Sequence, residues 1–309
     1  MRYVQIAGLK ISNVGIGTWQ WGTGYWGYGK SYTKEDLYKA FKRALDLGIN
    51  FIDTAEVYGD SEKILGEFLE RTGRDGLVIA TKVWPTNSTY EGVLKAAKRS
   101  LERLRIDCID LYQIHWPNPL INLKETIMAL DKLYLDGKIR AAGLSNFGLK
   151  GLKRAREMAE MVPIISNQVK YNMVERDVEK DVLPYIQREG LLLIAYSPLA
   201  QGLLAGSTSK NWVRLTNPLF SRFNLKRTRQ LLHLLKEISE REDVSMASIA
   251  IAWLLRKDRV VPIPGVKREK HVEDVARSVE LRVKEEDWKM VEEALGKVKI
   301  SRLYGLLPF

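Results

Sequence analysis

Short runs of apolar, β-branched residues recur along the chain: NVGIG, INFID, LVIATKV, CIDLYQIHW, IRAAGLSN, IISNQV, LLLIAYSP and VVPIPG. Each is apolar at consecutive positions rather than alternate ones, the pattern of strands covered on both faces. Stretches of helical period lie between them. In KEDLYKAFKRALDLG the apolar Leu37, Ala40, Phe41, Ala44 and Leu45 fall three and four apart, and Gly48 follows. SEKILGEFLERTG, YEGVLKAAKRSLERL, LKETIMALDKLYLDG, KDVLPYIQREG and SMASIAIAWLLRK repeat the pattern. Several start at Ser, Thr or Asp and stop at Gly, which is capping chemistry.

This alternation predicts eight strand–helix units in a single domain, residues 1–309. The polar residues that end the strands fall near 17, 53, 82, 115, 145, 168, 197 and 264. The spacing is that of one unit, except in the last interval, which is about double. The excess, residues 201–223, reads as a long loop over a site, followed by an extra helix from about 226 to 242. RYVQIAGLKIS reads as a hairpin before the first unit, and VKEEDWKMVEEALGKV (283–298) as a final helix. The expected fold is α/β: a (β/α)8 TIM barrel with an N-terminal β-hairpin and extra helices near the C-terminus. The rival, a doubly wound open sheet, needs a G-x-G-x-x-G turn that opens a helix, and no strand is followed by one.

Composition narrows the function. The chain has 309 residues, 45% hydrophobic and 28% charged, enough for a large core with a solvated surface. Its one cysteine, Cys108, excludes an intramolecular disulfide and fits a reducing cytoplasm. Three scattered histidines (His115, His233, His271) leave no ligand set for a structural metal site. No apolar run reaches the ~18 residues of a membrane span, and the first residues lack the apolar segment of a secretory signal. A net charge of +11 opens nucleic acid or anionic small molecules as partners. Basic residues beside acids, as in KRALD and EREDV, are ordinary surface patterning, and no nucleic-acid recognition motif accompanies them.

In a barrel the carboxyl ends of the strands line one cavity. Here they carry Asp53 and Tyr58, Lys82, His115, Ser145 and Asn146, Gln168, and Tyr196 and Ser197. A free tyrosine, pKa ~10, is a reluctant proton donor near neutrality. A nearby ammonium stabilises its phenolate, and a carboxylate keeps a buried ammonium charged. Asp53 can therefore hold Lys82 charged, Lys82 can lower the Tyr58 pKa, and His115 can orient a substrate oxygen. Such a set protonates an oxygen that gains negative charge.

The stretches GIGTW (15–19), DTAEVYG (53–59), ATK (80–82), IHWP (114–117), GLSN (143–146), NQVKYN (167–172), AYSPLAQGLL (195–204) and IPG (263–265) resemble the aldo-keto reductase family, in order and across the chain. The short-tailed bacterial and archaeal type, related to potassium-channel β-subunits, is the most similar. The resemblance implies NADPH, with NADH as the alternative, and hydride transfer to an aldehyde or ketone. It implies Tyr58 as general acid, Lys82 and Asp53 as its tuning pair, and His115 as the carbonyl-orienting group. It places Ser145, Asn146 and Gln168 on the carboxamide and Tyr196 against the nicotinamide ring. Gly17, Thr18, Trp19 and Asp53 match positions near the nicotinamide ribose. Ser197, Pro198, Leu199, Gly202 and Leu204 match the segment that folds over the pyrophosphate, where Lys210, Arg214 and Arg222 add candidate charge. Pro264, Gly265, Lys267, Arg268, His271 and Asp274 match the adenosine end. Val275 stands where relatives often carry an adenine-binding Asn.

Trp19, Trp21, Tyr25, Trp26, Trp84 and Trp116 all fall on strand-end loops and suggest an apolar mouth, with Trp19, Trp84 and Trp116 as substrate contacts. The expected partner is a small carbonyl or alcohol substrate, with no nucleic acid and no membrane, on a monomer or weak homo-oligomer. The alternative is a binding module that senses nicotinamide redox state with little catalysis, as the channel subunits suggest.

Overall fold

The computed structural model describes residues 1–207, 214 and 216–300. The chain opens with an antiparallel hairpin, β1 (Tyr3–Ile6) and β2 (Leu9–Ser12). Its turn places Ala7 and Gly8 at positive φ. Eight parallel strands follow: β3 (Gly15–Gly17), β4 (Phe51–Asp53), β5 (Val78–Val83), β6 (Ile109–Ile114), β7 (Ile139–Ser145), β8 (Ile164–Lys170), β9 (Leu192–Tyr196) and β10 (Val260–Pro262). They pair strictly in chain order. The ring closes where Gly17 N–H donates to Pro264 O at 3.0 Å and Gly17 bridges Gly265. Glycine is needed there, because a Cβ on Gly17 would stand 2.9 Å from Ile263 O. The predicted barrel is therefore the observed architecture.

Helices α1 (Lys34–Asp46), α2 (Ser61–Thr72), α3 (Tyr90–Leu104), α4 (Leu123–Leu135), α5 (Leu149–Met158) and α6 (Val182–Arg188) connect successive strands. Between β9 and β10 stand α7 (Arg222–Arg241) and α8 (Met246–Leu255), and the chain continues through α9 (Glu269–Glu280) and α10 (Glu285–Lys297). The starts are chemically marked. Thr33 and Asp36 form a capping box at α1, and Thr89, Asn122, Ser221 and Ser245 each accept a backbone N–H. The extra helix begins at Arg222 rather than near 226, because Ser221 supplies its cap. The expected loop is thus partly folded: Ala200–Ala205 and Pro218–Phe220 are 3₁₀ turns. Lys210 lies outside the described residues.

Two apolar cores result. The outer one fills the space between barrel and helices. The inner one packs Phe51, Val78, Ala80, Leu111, Ala141, Leu192, Ile194, Val261 and Ile263 inside the barrel, with Leu9 and Ile11 of the hairpin plugging its floor. Successive inward residues on a strand are two apart. Hence Asp53 follows Phe51 on the inner face, Lys82 follows Ala80, and Gln113 follows Leu111, above the apolar floor. β8 departs from this period. Ala142 pairs with Ile164 but Gly143 pairs with Ser166, a bulge at Ile165. Ile165 lies in the inner core, and after the extra residue Gln168 comes inward as well.

Candidate active site

Asp53 ends β4 at the centre of the cavity and is 1% exposed. Its Oδ1 accepts from Lys82 Nζ at 2.6 Å, and its Oδ2 accepts from Gln168 Nε2 at 2.8 Å and from Gln113 Nε2 at 3.1 Å. Lys82 is fully buried and also donates to Thr54 O at 2.7 Å and Tyr58 Oη at 3.4 Å. Four sequence-predicted residues, Asp53, Tyr58, Lys82 and Gln168, thus meet in one cluster. His115 joins them, its ring edge-to-face with Tyr58 at 5.6 Å and with Trp84 at 5.2 Å. Its Nδ1 is buried and has no hydrogen-bond partner among the described residues.

Electrostatics follow from this burial. Burial, then the charge of Asp53, holds the Tyr58 phenol well above its ordinary value. This corrects the expectation of a lowered phenol pKa: the phenol is held protonated, with an ammonium ready for the charge that would form on it. Burial pushes Lys82 down, and Asp53 works against that shift through its charge and hydrogen bond. His115 is pushed down to about 2 by burial and by the Lys82 charge, so it is a neutral imidazole at any ordinary pH.

The β7 end contributes Ser145 and Asn146. Asn146 has φ 63° and donates to His115 O and to Ser145 Oγ, both at 3.0 Å. Tyr196 Oη donates to Asn146 Oδ1 at 2.9 Å. Beyond it, Ser197, Ala200, Gln201 and Gly202 all have positive φ. Arg214 secures this turn by donating to Gln201 O and Ser207 Oγ, each at 2.8 Å. Pro198 is buried, and Leu204 is wholly inside the outer core, so its side chain is committed to packing. The Thr18 side chain likewise turns inward and is committed to a bond to Asp53 O at 2.9 Å.

Past β10, Lys267 donates to Trp26 O at 2.9 Å and lies over the Trp26 and Tyr32 rings. It makes no ion pair among the described residues. Burial, with repulsion from Arg214 and Arg268, pushes it down to about 8. Arg268 reaches Ser31 O at 2.7 Å, and exposed His271 accepts from Lys267 N–H at 3.2 Å. Asp274 O accepts from Ser248 at 2.8 Å. Val275, 2% exposed, is a core residue, which accounts for an apolar side chain there.

The mouth is aromatic in part. Trp19 packs edge-on against Trp26 at 5.2 Å and stands 6.5 Å from Tyr58. Trp116 is 39% exposed at the rim. Trp21 does not belong to the mouth. It is fully buried against Phe41 and Phe68, and its Nε1 donates to Val266 O at 3.0 Å. Gln113 was missed because it sits inside an apolar run; its place two residues before His115 on one strand face was the available signal. Glu62 was missed too. Buried at the start of α2, it accepts from Thr81 at 2.5 Å and Arg103 at 2.6 Å and adds negative charge behind Lys82.

A parallel barrel whose strand ends gather a carboxylate, an ammonium and a protonated phenol around one cavity has the build of a barrel oxidoreductase. The chain belongs to the aldo/keto reductase family, whose model matches residues 13–295. An oxidoreductase of Mycobacterium tuberculosis is 39% identical over 297 residues, covering 93% of this chain and 91% of its own. A methylglyoxal reductase of Escherichia coli is 31% identical, over 95% and 94% of the two chains. A Klebsiella pneumoniae aldo-keto reductase, solved in complex with NADPH, superposes with a TM-score of 0.77 at 26% identity, over 94% of each chain. None of the described helices is long and apolar enough to cross a membrane.

Proposed function

We propose that the protein reduces aldehydes or ketones to alcohols with NADPH, reversibly, and that Tyr58 is the proton donor. The carrying observation is the Lys82 ammonium set between the Asp53 carboxylate at 2.6 Å and the Tyr58 hydroxyl at 3.4 Å. The residues present fit a dinucleotide. Lys267 is a half-buried cation without an acidic partner among the described residues, four of the six residues from Ser197 to Gly202 have positive φ, and the buried His115 Nδ1 has no hydrogen-bond partner among the described residues. The Klebsiella reductase binds NADPH, and the Escherichia coli relative acts on a ketoaldehyde, methylglyoxal.

Bound nicotinamide would supply the hydride. Tyr58, held protonated, donates to the carbonyl oxygen and releases its proton as negative charge gathers there. Lys82 stabilises the resulting phenolate, and Asp53 keeps Lys82 charged and in place. Neutral His115 offers an N–H that orients the carbonyl without competing as an acid. Ser145, Asn146 and the side-chain oxygen of Gln168 would hold the carboxamide of a bound cofactor, and Tyr196 would face its ring. Gly17 and Trp19 would border the ribose, and Ser197, Leu199 and Gly202 the pyrophosphate. Pro264, Gly265, His271 and Asp274 would border the adenosine. Lys267 and Arg268 would pair with a 2′-phosphate, which would favour NADPH over NADH. Trp19, Trp84 and Trp116 form an apolar wall for the substrate.

Replacement of Tyr58 by Phe tests this reading. Aldehyde-dependent NADPH oxidation should vanish while NADPH binding persists. Turnover retained in Tyr58→Phe would refute the role.

A further inference from the structure

Two residues before Tyr58, in the same loop, stands Glu56, a carboxylate with no part in the chemistry above. Its side chain is 6% exposed. Oε1 accepts from the Trp84 backbone N–H at 2.6 Å and from Asn87 Nδ2 at 3.0 Å, and Oε2 faces the Arg99 guanidinium at 3.4 Å. The Glu56 N–H itself donates to Lys82 O at 3.4 Å. Strand β5 ends at Val83, so the Trp84 N–H is the first amide beyond the ladder. A half-buried amide there gains from a partner, and a carboxylate is the strong one. One side chain thus fastens the loop that carries the phenol to the loop after β5. From there the contact runs through rings: Trp84 stands edge-to-face on His115, and His115 on Tyr58. Asn118 holds the other side of the Trp84 loop by donating to Pro85 O at 2.9 Å.

We propose that Glu56 is a positioning residue for the carbonyl substrate that acts through Trp84: it sets where the indole stands relative to His115 and Tyr58, and so which carbonyl compounds fit. This rests on the reductase reading. The property at work is reach rather than charge. Aspartate keeps the charge but is one methylene short of the Trp84 N–H. Glutamine loses the charge but keeps an acceptor oxygen at the same reach. An acid present only to neutralise Arg99 would show the opposite preference. The affected substrates are those with an aromatic or bulky apolar group to lay against Trp84. A small aldehyde depends on Tyr58 and His115 alone.

Steady-state kinetics with NADPH, comparing benzaldehyde with propanal, test this in the wild type and in Glu56→Gln, Glu56→Asp and Glu56→Ala. Asp and Ala should raise the KM for benzaldehyde about tenfold, the effect of one lost hydrogen bond to a charged group. The KM for propanal, kcat and the NADPH dissociation constant should stay within about twofold, the margin expected where no buried hydrogen bond is lost. Gln should restore the wild-type KM. Equal losses on both aldehydes, rescue by Asp instead of Gln, or no change at all would overturn the proposal. If the Ala variant fails to fold, the Asp and Gln pair decides alone. Wild-type turnover of either aldehyde tests the reductase reading separately. If there is none, benzaldehyde affinity measured by tryptophan quenching should rank the variants in the same order, and any other order counts against Glu56.

Discussion

Gln168 donates its side-chain amide to Asp53 at 2.8 Å across the barrel, from a position 115 residues further along the chain. With Lys82 on one carboxylate oxygen and Gln113 and Gln168 on the other, Asp53 is a buried anion whose position is over-determined. Such a group is stabilising only while its partners remain.

Replacing Gln168 by Leu removes a charge-assisted bond and leaves Gln113 as the sole donor to Oδ2 among those described. The variant should lose about 1.5–3 kcal/mol of stability in urea denaturation, as for hydrogen bonds to charged groups. A change within experimental error would show that the Gln168 amide does not support the ion pair.

Lys82→Met strands Asp53 in the cavity. Breaking one side of a buried pair costs about 3–5 kcal/mol. The double variant Asp53→Asn/Lys82→Met should cost less than the sum of the two single changes, because no unpaired charge remains. A double-mutant cycle measured by denaturation checks this, and strict additivity would refute it.

His115 gives a pH signature. Its ordinary pKa is 6.5, and in the fold it is pushed down to about 2. Between those values the unfolded chain takes up a proton that the folded chain refuses. Stability should therefore fall as pH drops below 6.5, by about 1.4 kcal/mol per pH unit from this residue. His115→Gln should remove that share of the slope between pH 6.5 and 4.5. Parallel slopes in both proteins would contradict the assignment.

Lys267 makes a second pH prediction, on cofactor affinity. Its ammonium, pushed down to about 8, is charged below that pH and neutral above it. A phosphate binds the charged form. NADPH affinity should be level from about pH 7 to 8, above the second phosphate pKa of about 6, and weaken above pH 8, approaching about tenfold per unit until the pKa of the complex is reached. Lys267→Met should weaken NADPH binding at pH 7 and leave NADH unchanged. Fluorescence titration of the two cofactors reads both effects.

Much of this was legible in the residues. Strands buried on both sides lack alternation, so their apolar runs stood out, and each polar residue ending a run marked the rim of the cavity. That is why Asp53, Lys82, His115 and Gln168 were found before any geometry. Trp21 misled, because a strand-end loop is usually at the surface, and here it folds back over Phe41 and Phe68. Gln113 hid within an apolar strand. Leu204 and Val275 matched cofactor positions by order along the chain, yet both side chains are spent on packing.

By itself the sequence determined the number and order of the units and the chemical types at the strand ends, because hydrophobic periodicity and capping are local properties. Tertiary structure alone decided which of those groups touch. The bulge at Ile165 brings Gln168 to the inner face, and no residue type announces it. The pKa values belong to the fold for the same reason. The Tyr58 phenol is raised and the His115 ring lowered by the loss of surrounding water, and that loss exists only when eight distant strand ends close around one cavity.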